Sequence, residues 1–120
     1  MTDLFGLKDL QWELRANVDD IIKQRLRHIT FCKILVYLYK TFKKNHVAYV
    51  SEIKKITLLT YTRCYQIVKD LEDFGLVKTR RISGNFIEIV PTFNEDKMKI
   101  EKYVGFAKEK LKEFGIKVKD

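Results

Sequence analysis

From Leu7 to Lys44 the chain contains neither glycine nor proline, and its apolar side chains return every three or four residues. Leu7, Leu10, Leu14, Val18, Ile21, Ile22, Leu26 and Ile29 lay one apolar stripe along a helical path. A single helix of that length is unusual in a small domain, so a bend or break is expected near Asn17 or His28. The later part, Thr30 to Lys44, turns Phe31, Ile34, Leu35, Leu38 and Phe42 to one side. It ends in basic residues that suit the negative end of a helix dipole. Five glycines and one proline in 120 residues leave few turns, so the whole chain reads as mostly helical.

Beyond Asn45 the pattern changes. Val47-Ala48-Tyr49-Val50 is too short for a helix and rich in strand formers, which predicts one brief strand. Ser51 is the expected N-cap of a two-turn helix to Ile56, with Glu52 in its first turn and Ile53 and Ile56 inward. Thr57-Leu58-Leu59 reads as a turn. Thr60 is a second N-cap, and Cys64, Ile67, Val68, Leu71 and Phe74 follow at helical spacing. Gly75 stops that helix, because it tolerates the left-handed conformation that closes one. Leu76 to Arg81 and Phe86 to Val90 then form a hairpin, joined by Ile82-Ser83-Gly84-Asn85. After Pro91, Thr92 and Glu95 have the spacing of a capping box, and Ile100, Val104, Ala107, Leu111 and Phe114 mark the buried stripe of a last helix ending at Gly115.

The net charge of +8 is unevenly placed: residues 1–39 carry +1, residues 40–81 carry +6 and residues 82–120 carry +1. A concentrated excess of this kind suits a surface that meets a polyanion. A lysine-rich solvated face is the plainer explanation of the same numbers.

The order helix, short strand, two-turn helix, turn, longer helix, hairpin resembles the winged helix-turn-helix superfamily. Thr60 to Val77 is similar to its recognition helix, and Leu71-Glu72-Asp73-Phe74-Gly75-Leu76-Val77 closely resembles the end of that helix in MarR-like, ArsR-like and PadR-like regulators. The resemblance covers roughly Thr30 to Thr92. The hairpin is short and lacks the acidic-x-Arg motif of the MarR wing, so the resemblance extends to fold and docking mode and not to a subfamily or a ligand pocket. It implies a mainly α fold with a small β-hairpin wing, a winged helix-turn-helix flanked by N- and C-terminal dimerisation helices. The expected organisation is a single domain over residues 1–120, with an N-terminal helix at 7–29, the winged core at 30–91 and a C-terminal helix at 92–115.

On that scheme the N-terminal part of the recognition helix enters the major groove of double-stranded DNA. With Cys64, Ile67, Val68 and Leu71 facing the core, the opposite face presents Tyr61, Thr62, Arg63, Gln66 and Lys69. Arg63 could pair with guanine and Gln66 with adenine. Lys69, a turn further on, is placed to meet phosphate. Thr60 and Ser51, as caps, leave backbone N–H groups for phosphate oxygens. Tyr61 and Tyr65 could pack on sugars or a thymine methyl, and Tyr65 could equally be half-buried scaffolding. Lys78, Arg80 and Arg81 lie on the hairpin, with Ser83 and Asn85 at its tip, and Arg81 is the favoured minor-groove residue because it is nearer the tip. Lys54, Lys55, Lys43 and Lys44 would add attraction independent of sequence.

Other chemistry finds little footing. His28 and Cys32 have metal-ligand spacing, but His46 and Cys64 supply no second close pair, so no metal site and no cofactor is expected. Cys32 and Cys64 read as buried free thiols rather than a disulfide. No catalytic triad, phosphate loop or paired carboxylates can be assembled, so the chain is not expected to be an enzyme. No apolar run suits a membrane span and no basic region followed by an apolar run opens the chain, so a cytoplasmic protein is expected. Trp12 is expected to pack against the C-terminal helix or a second subunit. The expected function is sequence-specific binding of double-stranded DNA by a homodimeric transcriptional regulator. The alternatives are an architectural, sequence-tolerant DNA coat and a protein-interaction module.

Overall fold

The computed structural model describes residues 18–84 and 86–118. The expected break falls at His28: helix α1 is Val18–Arg25, a turn follows, and α2 is Ile29–Lys43. The expectations for Leu7, Leu10, Leu14, Trp12 and a bend at Asn17 lie outside the described residues. α2 is the axis of the core. Ile34, Leu35 and Leu38 are fully buried on it, and Phe31 and Phe42 are nearly so. The remaining described elements are β1 (Ala48–Tyr49), α3 (Val50–Thr57), α4 (Tyr61–Asp73), β2 (Val77–Ser83), β3 (Phe86–Pro91), β4 (Phe93–Asn94), β5 (Lys97–Met98) and α5 (Glu101–Glu113).

The described residues thus form five helices and a small antiparallel sheet of order β1-β3-β2. α3 and α4 pack on each other, and α4 lies against β2. The apolar side of α4 is the one its spacing requires: Cys64, Ile67, Val68 and Leu71 are buried. Gly75 closes the helix at φ +80°, where a side chain would be strained. α5 packs along α2 through Tyr103, Val104, Ala107 and Leu111. It is also tied to α1, because Tyr103 donates its hydroxyl hydrogen to Asp19 Oδ1 and Lys102 Nζ lies 3.0 Å from Asp19 Oδ2. Among the described residues no helix is long and apolar enough to cross a membrane.

Four local expectations are corrected. Ser51 is not a cap: α3 starts at Val50, because the Glu52 carboxylate reaches back to accept the Tyr49 N–H at 3.1 Å and nucleates the turn earlier. Ile56 faces outward and is 40% exposed; Val50 and Ile53 make the buried contacts of α3 instead. The C-terminal helix does not begin at residue 92. The Thr92 hydroxyl donates to the Gly75 carbonyl across the fold, and the residues after it pair as the β4–β5 hairpin, Phe93 opposite Met98, so there is no helix for it to cap. Glu95 adopts φ +59° in the turn of the small β4–β5 hairpin, so α5 starts only at Glu101. Phe114, placed on the buried stripe by its spacing, lies at the end of α5 and is half exposed.

Candidate nucleic-acid interface

Thr60 starts α4 as its sequence suggests. Its backbone is extended, and its Oγ1 accepts the Arg63 N–H at 3.2 Å. That cap fixes the first turn and sends Thr62, Arg63 and Gln66 outward, opposite the buried stripe. Arg63 and Gln66 stand side by side on this face, with Arg63 Nη1 3.5 Å from Gln66 Oε1. That separation holds neither group tightly, so the guanidinium fork and the side-chain amide remain open to an external planar partner. Tyr61 and Tyr65 are both half-buried against the core.

The hairpin divides its cations between two faces, because alternate residues of a strand point to opposite sides. Arg81 shares the α4-facing side with Thr79, whose N–H and hydroxyl both reach Glu72 of α4. Arg81 also donates to the Gly84 carbonyl, holding its guanidinium at the hairpin tip. It is near enough to act on Tyr61: burial raises that phenol above its ordinary range, and the Arg81 charge pulls it part of the way back. Arg81 thus lies on the α4-facing side of the hairpin, next to Tyr61. Arg80 and Lys78 lie on the other face. Arg80 stands directly opposite Glu88, and its Nη2 is 2.6 Å from the nearly buried Glu88 carboxylate. The same outer face carries the stacked pair Tyr49 and Phe86, with ring centroids 4.7 Å apart.

Tyr61, Thr62, Arg63, Gln66 and Arg81 are thus gathered by α4 and the adjoining strand, while Lys78 and Arg80 are turned away from them. Lys69 is committed within the fold, since its ammonium lies 2.5 Å from Glu72 Oε1 and that partner raises its pKa. Ser51 is exposed in the first turn of α3, and Lys54 and Lys55 are exposed in its last turn. Ser83 is exposed at the hairpin end, next to Gly84 at φ +50°; Asn85 lies outside the described residues.

Sequence reasoning missed two neighbours. Arg25 and His28, from the break between α1 and α2, line a recess of about 300 Å³ together with Arg63, Phe31, Leu59 and Ile67. Arg25 is partly neutralised there by Asp70 at 2.7 Å. No local signal joins them to Arg63; only the folded arrangement does, with the Arg25–Asp70 ion pair tying α1 to α4. A larger cleft of about 690 Å³ lies between α1, the α4–β2 junction, the β4–β5 hairpin and α5. It is walled by Phe74, Leu76, Met98 and Tyr103, with both signs of charge at its rim. Among the described residues no cluster of three or more histidines, cysteines and carboxylates could hold a metal ion.

The chain matches no family model, no curated protein and no solved structure.

Proposed function

We propose that the chain is a winged helix-turn-helix protein that binds double-stranded DNA sequence-specifically, as a homodimeric, cytoplasmic regulator of transcription. α4 would lie in the major groove, with the β2–β3 hairpin as a wing toward the minor groove or backbone. The observation that carries this reading is the Arg63–Gln66 pair on the exposed face of a capped helix, flanked by Arg81 from the hairpin. The guanidinium matches the O6/N7 edge of guanine, and the amide matches the N6/N7 edge of adenine. Lys54 and Lys55, exposed in the preceding helix, would supply attraction to phosphate whatever the sequence.

For the dimer, the supporting feature is α5, where Phe106 is about half exposed beside α1 and Phe114 is half exposed at the helix end. A twofold pairing would set two copies of α4 about 34 Å apart, one turn of duplex, and would read a pseudo-palindrome.

The test is binding to a pool of genomic duplex fragments at several salt concentrations. The reading expects a subset of fragments to survive moderate salt and Arg63→Ala to reduce the preference for that subset. Lys54→Ala should lower affinity for all fragments alike. Absence of binding to any duplex at low salt would leave the fold as a protein-interaction module.

A further inference from the structure

One residue in the turn between α3 and α4 carries two costs at once. Leu58 is 90% exposed, the most solvated large apolar side chain among the described residues. Its backbone is left-handed, at φ +61° and ψ 20°. An L-residue other than glycine, asparagine or aspartate is strained there, and an exposed leucine gains nothing from burial.

The turn itself demands that conformation. The Leu58 N–H donates to the Lys54 carbonyl at 2.9 Å, closing α3. The next residue turns inward: Leu59 lines the recess beside Phe31 and Ile67, and its N–H reaches Thr57 Oγ1 at 3.4 Å. Glycine at position 58 would satisfy the same backbone without strain and without wet hydrocarbon. The leucine side chain therefore serves something outside the fold.

The surroundings identify the partner. Lys54 and Lys55 are exposed just before Leu58, and the Thr60 cap and exposed Arg63 follow just after it. An apolar protein surface is a poor match for that ring of cations, whereas a duplex presents phosphates on either side of apolar carbon. We propose that Leu58 is a contact to the wall of the DNA major groove, packing on a thymine methyl or on the deoxyribose carbons beside it. This rests on the DNA-binding reading above. It adds a determinant that side-chain polarity alone does not reveal, one that releases no counterion.

The experiment uses the full chain and the duplex fragments selected by the wild-type protein, with thermal melting run in parallel. Leu58→Gly is expected to raise the melting temperature by about 2–6 °C, because it relieves the left-handed strain. It is expected to weaken DNA binding about threefold to tenfold with an unchanged salt slope. Leu58→Asn, which also accepts the conformation but is polar, should weaken binding similarly. Replacing thymine by uracil in the duplex separates the two sources. Loss for the wild type that Leu58→Gly does not share assigns the contact to the methyl, and indifference to the methyl assigns it to the sugar. A wild-type protein that binds no duplex overturns both readings. A wild-type protein that binds while Leu58→Gly binds equally well, or melts lower, overturns this inference alone.

Discussion

Glu72 on α4 and Thr79 on β2 are joined twice: the carboxylate accepts the Thr79 N–H at 2.8 Å and the Thr79 hydroxyl at 3.0 Å. This pair sets the hairpin relative to the helix, and with it the position of Arg81 relative to Arg63. Burial would raise the Glu72 carboxyl, but the hydrogen bonds from Lys69 and Thr79 hold it below its ordinary value of 4.5. A carboxylate with a lowered folded pKa stabilises the fold fully above its unfolded value. That contribution is lost as pH falls through the folded value. Glu72→Gln is therefore expected to cost about 1–2 kcal/mol at neutral pH and to flatten the loss of stability below about pH 4.5. Chemical denaturation at several pH values checks it. Asp19, held below its ordinary value of 3.8 by the Tyr103 and Lys102 hydrogen bonds, acts in the same direction as pH falls below that value.

The pairing of Arg80 with Glu88 makes Arg80 a structural residue first. Arg80→Ala leaves a nearly buried carboxylate without its partner and should cost about 1–3 kcal/mol. Adding Glu88→Gln to that variant should recover most of the loss. Glu88→Gln alone frees the Arg80 guanidinium on the hairpin face turned away from α4, and on the proposed function it should leave the salt dependence of DNA binding unchanged. Melting curves and binding titrations on the three variants separate these effects.

Both cysteines are buried and free. Burial pushes the Cys32 thiol up to about 11, and it donates to the Leu26 carbonyl at 2.9 Å. Neither thiol should react with Ellman's reagent in the native protein at pH 8, and both should react once denaturant is added. A fast native reaction would contradict the burial of both thiols.

The elements legible from the sequence are those with strong local signals. The stripe from Phe31 to Phe42 has a helix period, Thr60 has a helix to cap, and Gly75 has one to end. The errors arise where another partner wins. Thr92 has the right spacing for a capping box, but the residues after it pair as a hairpin, with Glu95 in its turn at φ +59°. Ser51 has the right chemistry for a cap, but Glu52 holds the Tyr49 N–H and starts the helix sooner. Of the candidate site, Arg63 and Gln66 follow from helical periodicity alone. The tie between Arg80 and Glu88 needs the strand register, and the approach of Arg25 and His28 to Arg63 needs tertiary packing. The Lys69–Glu72 pair has the spacing of helix neighbours and was readable in advance.

The central claim is that one face, formed by the start of α4 and the hairpin tip, lies along a duplex. Titrating the isotope-labelled protein with duplex DNA at low salt, and following each backbone amide by NMR, reads that face residue by residue. The largest shifts are expected from Leu58 to Gln66 and from Arg81 to Gly84, with α5 unmoved from Glu101 to Glu113. Shifts centred on α5 or on the β4–β5 hairpin, or no shifts at all, would contradict it.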